Sequence, residues 1–530
     1  MATTSRSTGD AGARRGDQKP FCGRLGARGA ALLAVAAAAA PLLAPPCARA
    51  ERWSVDAGVS SQLTWSSNGE LGIGNGREDA ILDLRPHLTI RAEGPRLRLS
   101  GSAALSGITS ANGTQPSRVL PQVELNARLE AIERLLFLEA GVRALQTSQN
   151  PFGALPEAAT SQNTLTTTLA RFSPIIEAAA GPRSRYRLRS DNSWTHESGS
   201  AITPLTSAAA GYFGRHSLMF EQDPRPLGWR LEAERSVTRY RDQTQPSLNL
   251  DLARASVDYA LTDDFSAGVR VGREHTSLVT ADDQRTLYGV QARWQPSPRT
   301  QLSVFEEKRF FGPSWRLGFD HRTPQIAWNI VWSRTLDTAP QSLFDLPASE
   351  NVAALLDAIF TTRYPDPIER ARAVQDFIAR QGLPTSTLRP TSLFAQRLSL
   401  VNLRSASVAL IGVRNTVTLA GFESRTEDAA DAGSFAVGTA ATNNTQQGAS
   451  LSLTHRLTPQ MGMTVSADWS RIQALRAPDR TTQRAARAQL NLQLSPKTGA
   501  FIGARYRKLE SNVTPQGHEG AVSAGLDHRF

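Results

Sequence analysis

The feature that most constrains the fold is a strict alternation of apolar and polar residues that recurs through most of the chain. It is clearest in Ala488–Leu494 and Ala449–Thr454. Successive side chains of a β-strand point to opposite faces, so this alternation predicts strands with one apolar and one polar face. Two architectures repeat such strands, namely a soluble sandwich or propeller and a transmembrane barrel.

Strand length and loop spacing separate these two architectures. The alternating runs reach ten to thirteen residues, as in Gly462–Ile472. A membrane-crossing strand needs about 9–11 residues, whereas a soluble strand averages about 5–6. Short turns such as Glu93–Pro95 and Ser495–Lys497 alternate with longer polar stretches. These longer stretches are 66–80, 147–164, 241–249, 425–446 and 473–485. This sorting predicts an outer-membrane barrel whose long loops are exposed at the cell surface.

The chain from Glu51 to Phe530 accommodates about 22 such strands, within a range of 18 to 24. We therefore predict an all-β fold, a transmembrane antiparallel β-barrel that occupies residues 51–530. The strands near 183–221 and 315–335 have the least regular alternation. An even strand number places both ends of the barrel on the periplasmic side, together with the short turns.

Residues 1–50 have the pattern of a cleaved signal peptide. A basic region precedes the apolar run Ala30–Ala44, and Ala48-Arg49-Ala50 then offers a small-x-small cleavage site at Ala48 and Ala50. An uncleaved anchoring helix is the alternative, but Pro41 would interrupt it. The predicted location is the outer membrane of a Gram-negative cell, reached by export.

The net charge of +11 is weak support for a nucleic-acid partner. Seven of the 59 Lys and Arg residues, and both cysteines, lie within residues 1–50 and would leave with the signal peptide. We expect no nucleic-acid binding and no dependence on disulfides.

The last strand carries its apolar residues at alternate positions up to a terminal aromatic. These residues are Val522, Ala524, Leu526 and Phe530. The pattern resembles the C-terminal strand of bacterial outer-membrane proteins, which closes the barrel and presents its terminal aromatic to the barrel-assembly machinery. His528 departs from the apolar residue usual at its position. The resemblance implies that this machinery and the outer-membrane lipid are partners.

One segment, within residues 345–390, has a helical period instead. Asp366 and Pro367 form a helix start, and Gly382 with Pro384 ends it. Apolar residues fall on one face of each of two helices. They are Val352, Leu355, Leu356, Ile359 and Phe360 in the first, and Ile368, Ala371, Val374, Phe377 and Ile378 in the second. We predict a two-helix insertion that folds over or into the extracellular mouth and narrows it.

The sequence contains no constellation that indicates catalysis. Its eight histidines are scattered without metal-ligand spacing, and no nucleotide or nucleophile motif occurs. We expect no cofactor, no metal and no enzymatic activity, although an outer-membrane enzyme remains a third hypothesis.

Arginines recur on the polar faces of the strands, which would line the lumen. The candidate lumen cations are Arg254, Arg270, Arg293, Arg456, Arg487 and Arg505. Fewer acids share those faces, which favours anionic solutes, but a generic polar interior fits equally well. Arg235 falls on an apolar face, which predicts a bulge or a register error there.

Several segments resemble the outer-membrane proteins associated with the PEP-CTERM/exosortase system of exopolysaccharide-producing bacteria. They are Pro151-Phe152-Gly153, Trp294–Thr300, Lys308–Gly312, Leu317–Thr323, Asp366–Ala371 and Gln381–Pro384. The similarity covers essentially the whole chain after residue 50. It implies an outer-membrane barrel linked with exopolysaccharide loci, and it supplies no catalytic or binding residues.

These observations predict a pore or export conduit for polysaccharide or anionic solutes. The alternative is a non-conducting structural or assembly protein of the outer membrane. Exopolysaccharide, or components of its export, would be the partner of the conduit.

Overall fold

Twenty-two antiparallel strands form one closed sheet in the computed structural model of the chain. Each strand pairs with its neighbours in sequence, and β1 pairs with β22 to close the barrel. The structure describes residues 52–69, 71, 76–148, 150–154, 163–198, 211–240, 247–277, 285–337, 352–381, 399–428 and 443–530.

The first eleven strands are β1 (Arg52–Ser66), β2 (Asp79–Glu93), β3 (Leu97–Ser110), β4 (Arg118–Ile132), β5 (Leu136–Ser148), β6 (Thr164–Ala179), β7 (Ser184–Ser198), β8 (Gly211–Gln222), β9 (Leu227–Tyr240), β10 (Leu248–Ala260) and β11 (Phe265–Thr276). The remaining strands are β12 (Arg285–Ser297), β13 (Thr300–Arg309), β14 (Gly312–Arg322), β15 (Ile326–Asp337), β16 (Ser399–Ile411), β17 (Asn415–Asp428), β18 (Asn444–Thr458), β19 (Met461–Ala474), β20 (Arg480–Ser495), β21 (Thr498–Ser511) and β22 (Gly517–Arg529). Two helices, α1 (Val352–Phe360) and α2 (Pro367–Gln381), lie between β15 and β16.

The predicted barrel and its strand number are confirmed, including the least regular strands. Two details differ. Strand β20 begins at Arg480, so the predicted loop 473–485 is too long, because a strand that rises above the apolar belt is polar on both faces. The link between β13 and β14 is only Phe310-Phe311, although it lies at the end that carries the long loops. We call that end the loop end and the opposite one the turn end.

The two faces of the wall have opposite character, as the alternation predicts. Large apolar side chains point outward, and Val55, Val269 and Val290 are each more than half exposed. Polar side chains between them point inward, and Thr64 and Glu307 are 1% and 2% exposed. An apolar exterior around a polar interior is the arrangement of a barrel in lipid. Among the described residues, no helix is long and apolar enough to cross a membrane.

The last strand closes the barrel against the first. In the pairing of β22 with β1, Arg529 lies opposite Gly58, and the Phe530 amide donates a hydrogen bond to the Ala57 carbonyl at 2.9 Å. The side chains of Val522, Leu526 and Phe530 are 50%, 51% and 72% exposed on the outer wall. The Phe530 ring therefore lies at the outer rim of the turn end.

Candidate functional site

The two helices pack on each other and form their own small apolar core. Val352 and Leu356 of α1 pack on Val374 of α2, and all three are at most 3% exposed. The rings of Phe360 and Phe377 meet edge to face, with centroids 5.4 Å apart. Arg370 Nε donates to Asp357 Oδ1 at 2.8 Å. The predicted helical pair is thus present, with the second helix beginning at Pro367 as expected.

The pair lies against the inner wall at the turn end. Leu355 and Ile359 pack on Ala327 of β15 and Ala409 of β16, which lie directly opposite each other in the sheet. Both alanines share a face with buried inward residues, whereas Trp328 beside Ala327 points outward and is 45% exposed. Small side chains at Ala327 and Ala409 let a helix approach the wall closely.

Further contacts connect the helical pair to strands on both sides of the lumen. Arg322 Nη1 of β14 donates to the Ala358 carbonyl at 3.5 Å, and Arg91 of β2 donates to the Gln375 side chain. The tilt and spacing of 22 strands give a backbone diameter of roughly 45 Å. Helices of nine and 15 residues are about 14 and 22 Å long. The pair therefore narrows the lumen without filling it.

This position corrects the expected one. By strand order the insertion leaves β15 and enters β16 at the loop end, so the sequence placed the helices at the extracellular mouth. In the structure their contacts lie near the start of β15 and the end of β16, which is the turn end. The two helices therefore lie inside the barrel near the turn end, whereas β15 ends and β16 begins at the loop end.

Part of the loop end is folded inward as well. Phe152 is 3% exposed and packs on Ile472 and Ala474 of β19, and its carbonyl accepts a hydrogen bond from Thr481 Oγ1 at 2.8 Å. Leu71 is 2% exposed and packs with Ala154 and Leu509. The expectation that 66–80 and 147–164 are surface-exposed is therefore wrong for these residues, because their apolar side chains are buried in the mouth.

Charged side chains on the inner wall form a connected ladder across β9–β13. Glu307 of β13 is 2% exposed and accepts from Arg254 Nη2 at 2.8 Å and Arg270 Nη1 at 3.2 Å. Arg309 Nη2 forms a salt bridge with Glu274 Oε2 at 2.9 Å. Low exposure makes these charges dependent on one another, because an unpaired charge here would be poorly solvated. A Cβ at the inward Gly289 would lie 2.7 Å from the Glu307 Cβ, so glycine leaves room for the ladder.

A second buried cluster lies across β21, β22 and β1. Glu519 Oε1 accepts from Arg505 Nη2 at 2.8 Å and Ser66 Oγ at 2.7 Å, and its Oε2 accepts from Arg507 Nε at 2.7 Å. The side chains of Arg507 and Glu519 have no exposed surface. This cluster joins the first strand to the last at the loop end.

The structure places all six candidate cations on the inner wall, but it pairs most of them with acids. Arg254 and Arg270 belong to the Glu307 ladder, Arg505 binds Glu519, and Arg487 Nη1 donates to Asp468 Oδ2 at 2.6 Å. Arg293 donates to Gln295 at 3.2 Å and Arg456 to the Val413 carbonyl at 3.0 Å. The inner wall therefore carries paired positive and negative side chains, and it is not a uniformly cationic surface.

Glu307 and Glu519, the centres of these clusters, are not among the site residues predicted from the sequence. The alternation places both on inner faces, so their orientation could have been found. Their partners lie on neighbouring strands and need the sheet register. Ala48 and Ala50 lie outside the described residues. Among the residues that the structure describes, no group of three or more His, Cys, Asp or Glu could hold a metal ion.

No protein-family model and no curated protein sequence matches the chain. Several solved structures are similar. The siderophore receptor PirA from Pseudomonas aeruginosa has a TM-score of 0.41 and 6% identity over 90% of this chain and 80% of that chain. The outer membrane protein OpdK from the same organism has a TM-score of 0.34 and 8% identity, over 90% and 99%. The ferric-catecholate import receptor Fiu from E. coli K12 has a TM-score of 0.40 and 9% identity, over 90% and 82%. At TM-scores below 0.5, this likeness supports no conclusion about activity.

Proposed function

We propose that the chain is an outer-membrane barrel that conducts solutes through a lumen narrowed by its own helical insertion. The observation that carries this proposal is the packing of α1 on the inward residues Ala327 and Ala409. A helical pair that served an external partner would have no reason to lie inside the barrel. The apolar outer wall supports placement in a bilayer, with the loop end at the cell surface.

We further propose that the transported solutes are exopolysaccharide or anionic solutes and that the protein is not an enzyme. The resemblance to exosortase-associated barrels and the arginines of the inner wall support this class. Because the ladder pairs its arginines with acids, selection for anions should be moderate. Sugar hydroxyls suit such a wall, since alternating donors and acceptors can exchange hydrogen bonds with a passing chain.

The helical constriction is tested by single-channel conductance in planar bilayers. Both native cysteines lie within residues 1–50, so new cysteines can be placed in the barrel alone. Deleting residues 350–384 should raise conductance several-fold. A disulfide between Ile359→Cys and Ala409→Cys, which share one buried cluster, should keep the oxidised pore at low conductance.

A matched control is the pair Thr454→Cys and Thr464→Cys, which lie opposite each other on the inner wall and do not involve the insertion. Its oxidation should leave the conductance of the parent protein unchanged. An assembled deletion variant with parental conductance would refute the constriction. A barrel that conducts in neither form would refute the pore and favour the structural alternative.

The passenger class has its own test. An acidic polysaccharide such as alginate should reduce the ionic current of the deletion variant more strongly than neutral dextran of the same length, by a few-fold, because the inner wall presents arginines. Equal block by the two polymers would remove the preference for anions while leaving the pore intact.

A further inference from the structure

The outer wall carries a charged groove where a membrane barrel is expected to be apolar. It has a volume of about 490 Å³ and lies across β7–β11. Its outward lining includes His216, Arg235, Asp251, Arg273 and His275. The sequence predicted a bulge or a register error at Arg235, but the register of β9 with β8 and β10 continues unbroken through it. The regular alternation of side chains along β9 therefore directs Arg235 to the outer face.

The charged residues form an ordered row. His216 lies opposite Arg235, Arg235 opposite Asp251, and Asp251 opposite His275, so the four side chains cross four strands side by side. In the row below them, Leu218, Ala233, Ala253 and Arg273 lie opposite one another in turn. The two alanines leave a depression with Arg235 above it and Arg273 beside it.

The charges of the groove begin in the upper part of the apolar belt, with Arg273 two residues above Val271 and the row through His275 at the upper edge. On β11 the outward apolar residues end at Val271, about 20 Å along the strand from Phe265 and about 15 Å in height. The apolar belt of such barrels is about 25 Å tall. On β1 the outward residues carry no charge from Trp53 to Trp65. Charges on β9–β11 therefore begin with Arg273 in the upper part of the belt, where an outward arginine is stabilised by an anion within its reach.

The charges present can bind an anion. The closest approach of Arg235 to Asp251 is 3.6 Å, a loose contact between side chains that are 63% and 43% exposed. Arg273 has no ion-pair partner within the described part of the chain. Two guanidinium groups beside a shallow depression match the oxygens of a phosphate, which arginine binds through paired hydrogen bonds.

The surface below the groove fits acyl chains. Leu231, Val257 and Val269 lie on the outer wall between the groove and the turn end, and they are 51%, 46% and 62% exposed. Leu188 and Leu218 line the groove itself. The groove thus places cationic side chains above an apolar part of the outer wall. This arrangement is complementary to a lipid, which carries its phosphate above its acyl chains.

We propose that this groove binds the phosphate group of an anionic lipid in the leaflet at the loop end. The inference rests on the proposed outer-membrane placement, in which that leaflet carries phosphorylated glycolipid. Lipid bound there would neutralise Arg235 and Arg273 and fix the height of β8–β11 in the membrane.

The proposal is tested by native mass spectrometry of the full barrel in neutral detergent, with bisphosphorylated lipid A as the probe. The double variant Arg235→Gln/Arg273→Gln should retain lipid A at least tenfold less well than the parent. Filling the depression with Ala233→Leu/Ala253→Leu should weaken retention while keeping the charges. Dephosphorylated lipid A should bind the parent as weakly as lipid A binds the double variant.

Arg404→Gln/Arg425→Gln is the matched control, because these outward arginines lie on β16 and β17 and pair with Glu423 and Glu427. It should retain lipid A like the parent. Equal retention by the groove and control variants, or by the two lipids, would overturn the proposal. Loss of a dimer in the groove variant without loss of lipid would overturn it too, and would identify an interface between barrels. Conductance of the same variants reports separately on the pore.

Discussion

Glu519 shows what a single inward charge does in this wall. It joins Arg505, Arg507 and Ser66 within hydrogen-bond distance, and neither its side chain nor that of Arg507 is exposed. Breaking a buried pair by removing one partner costs more than the pair itself contributes, because the remaining charge stays in a poor solvent. The cluster therefore makes the junction of β1, β21 and β22 sensitive to single substitutions.

We expect Glu519→Gln to lower the free energy of unfolding by about 3–5 kcal/mol. Replacing Glu519 together with Arg507, as Arg507→Met/Glu519→Leu, should cost less, since the fully buried Arg507 is then not left as a charge without its acid. The measurement is urea unfolding of the barrel in detergent micelles. Lys508→Gln is the control, because its pair with Glu510 is largely exposed and is worth at most about 1 kcal/mol. A double variant less stable than the single one would contradict this account.

Arg235 marks the limit of inference from one residue. Alternation alone shows that a charge falls on an apolar face, and a bulge or an outward arginine explains this equally well. The choice depends on the neighbouring strands, where Asp251 and His216 occupy the same row. Row membership follows from the register, which turn geometry and side-chain packing set together.

At the scale of elements, the sequence predicts the helices well but not their location. The start at Pro367 and the apolar stripe through Val374 are local properties, and the structure has both. An apolar stripe shows that a helix must be buried, but not against which surface. The receiving surface is Ala327 with Ala409, two small inward residues that are far apart in sequence and meet only through the β15–β16 pairing.

The last strand ends in an exposed aromatic that is expected to act as an assembly signal. Phe530 is bound to the first strand through its amide, and its ring is 72% exposed at the outer rim. Deleting Phe530 should reduce the assembled, heat-modifiable protein in the outer membrane several-fold, whereas Phe530→Trp should assemble normally, because the ring serves as an exposed aromatic and not as core. Unchanged assembly of the deletion variant would show that the terminal aromatic is not a recognition signal.

At the scale of the whole molecule, the strand number could be predicted because every strand repeats the same period under the same constraint. The packing of the loops at the mouth could not be predicted in this way. Loop length indicated exposure, whereas Phe152 and Leu71 are folded inward against β19 and β21. A loop above a wide lumen can bury apolar side chains against inward residues of other strands, here Ile472 of β19 and Leu509 of β21. Loop length therefore predicts the side of the membrane but not the exposure of individual residues.

The loop end of the barrel is expected at the cell surface and the turn end in the periplasm. Ala111 lies in the link between β3 and β4 at the loop end, and Asp263 lies in the turn between β10 and β11 at the turn end. Both side chains are exposed. Ala111→Cys should react on intact cells with a maleimide attached to a polymer too bulky to pass the narrowed lumen. Asp263→Cys should react only after permeabilisation of the outer membrane, which also serves as the control for its accessibility. The reverse pattern would place the turn end outside, and the lipid groove would then face the inner leaflet.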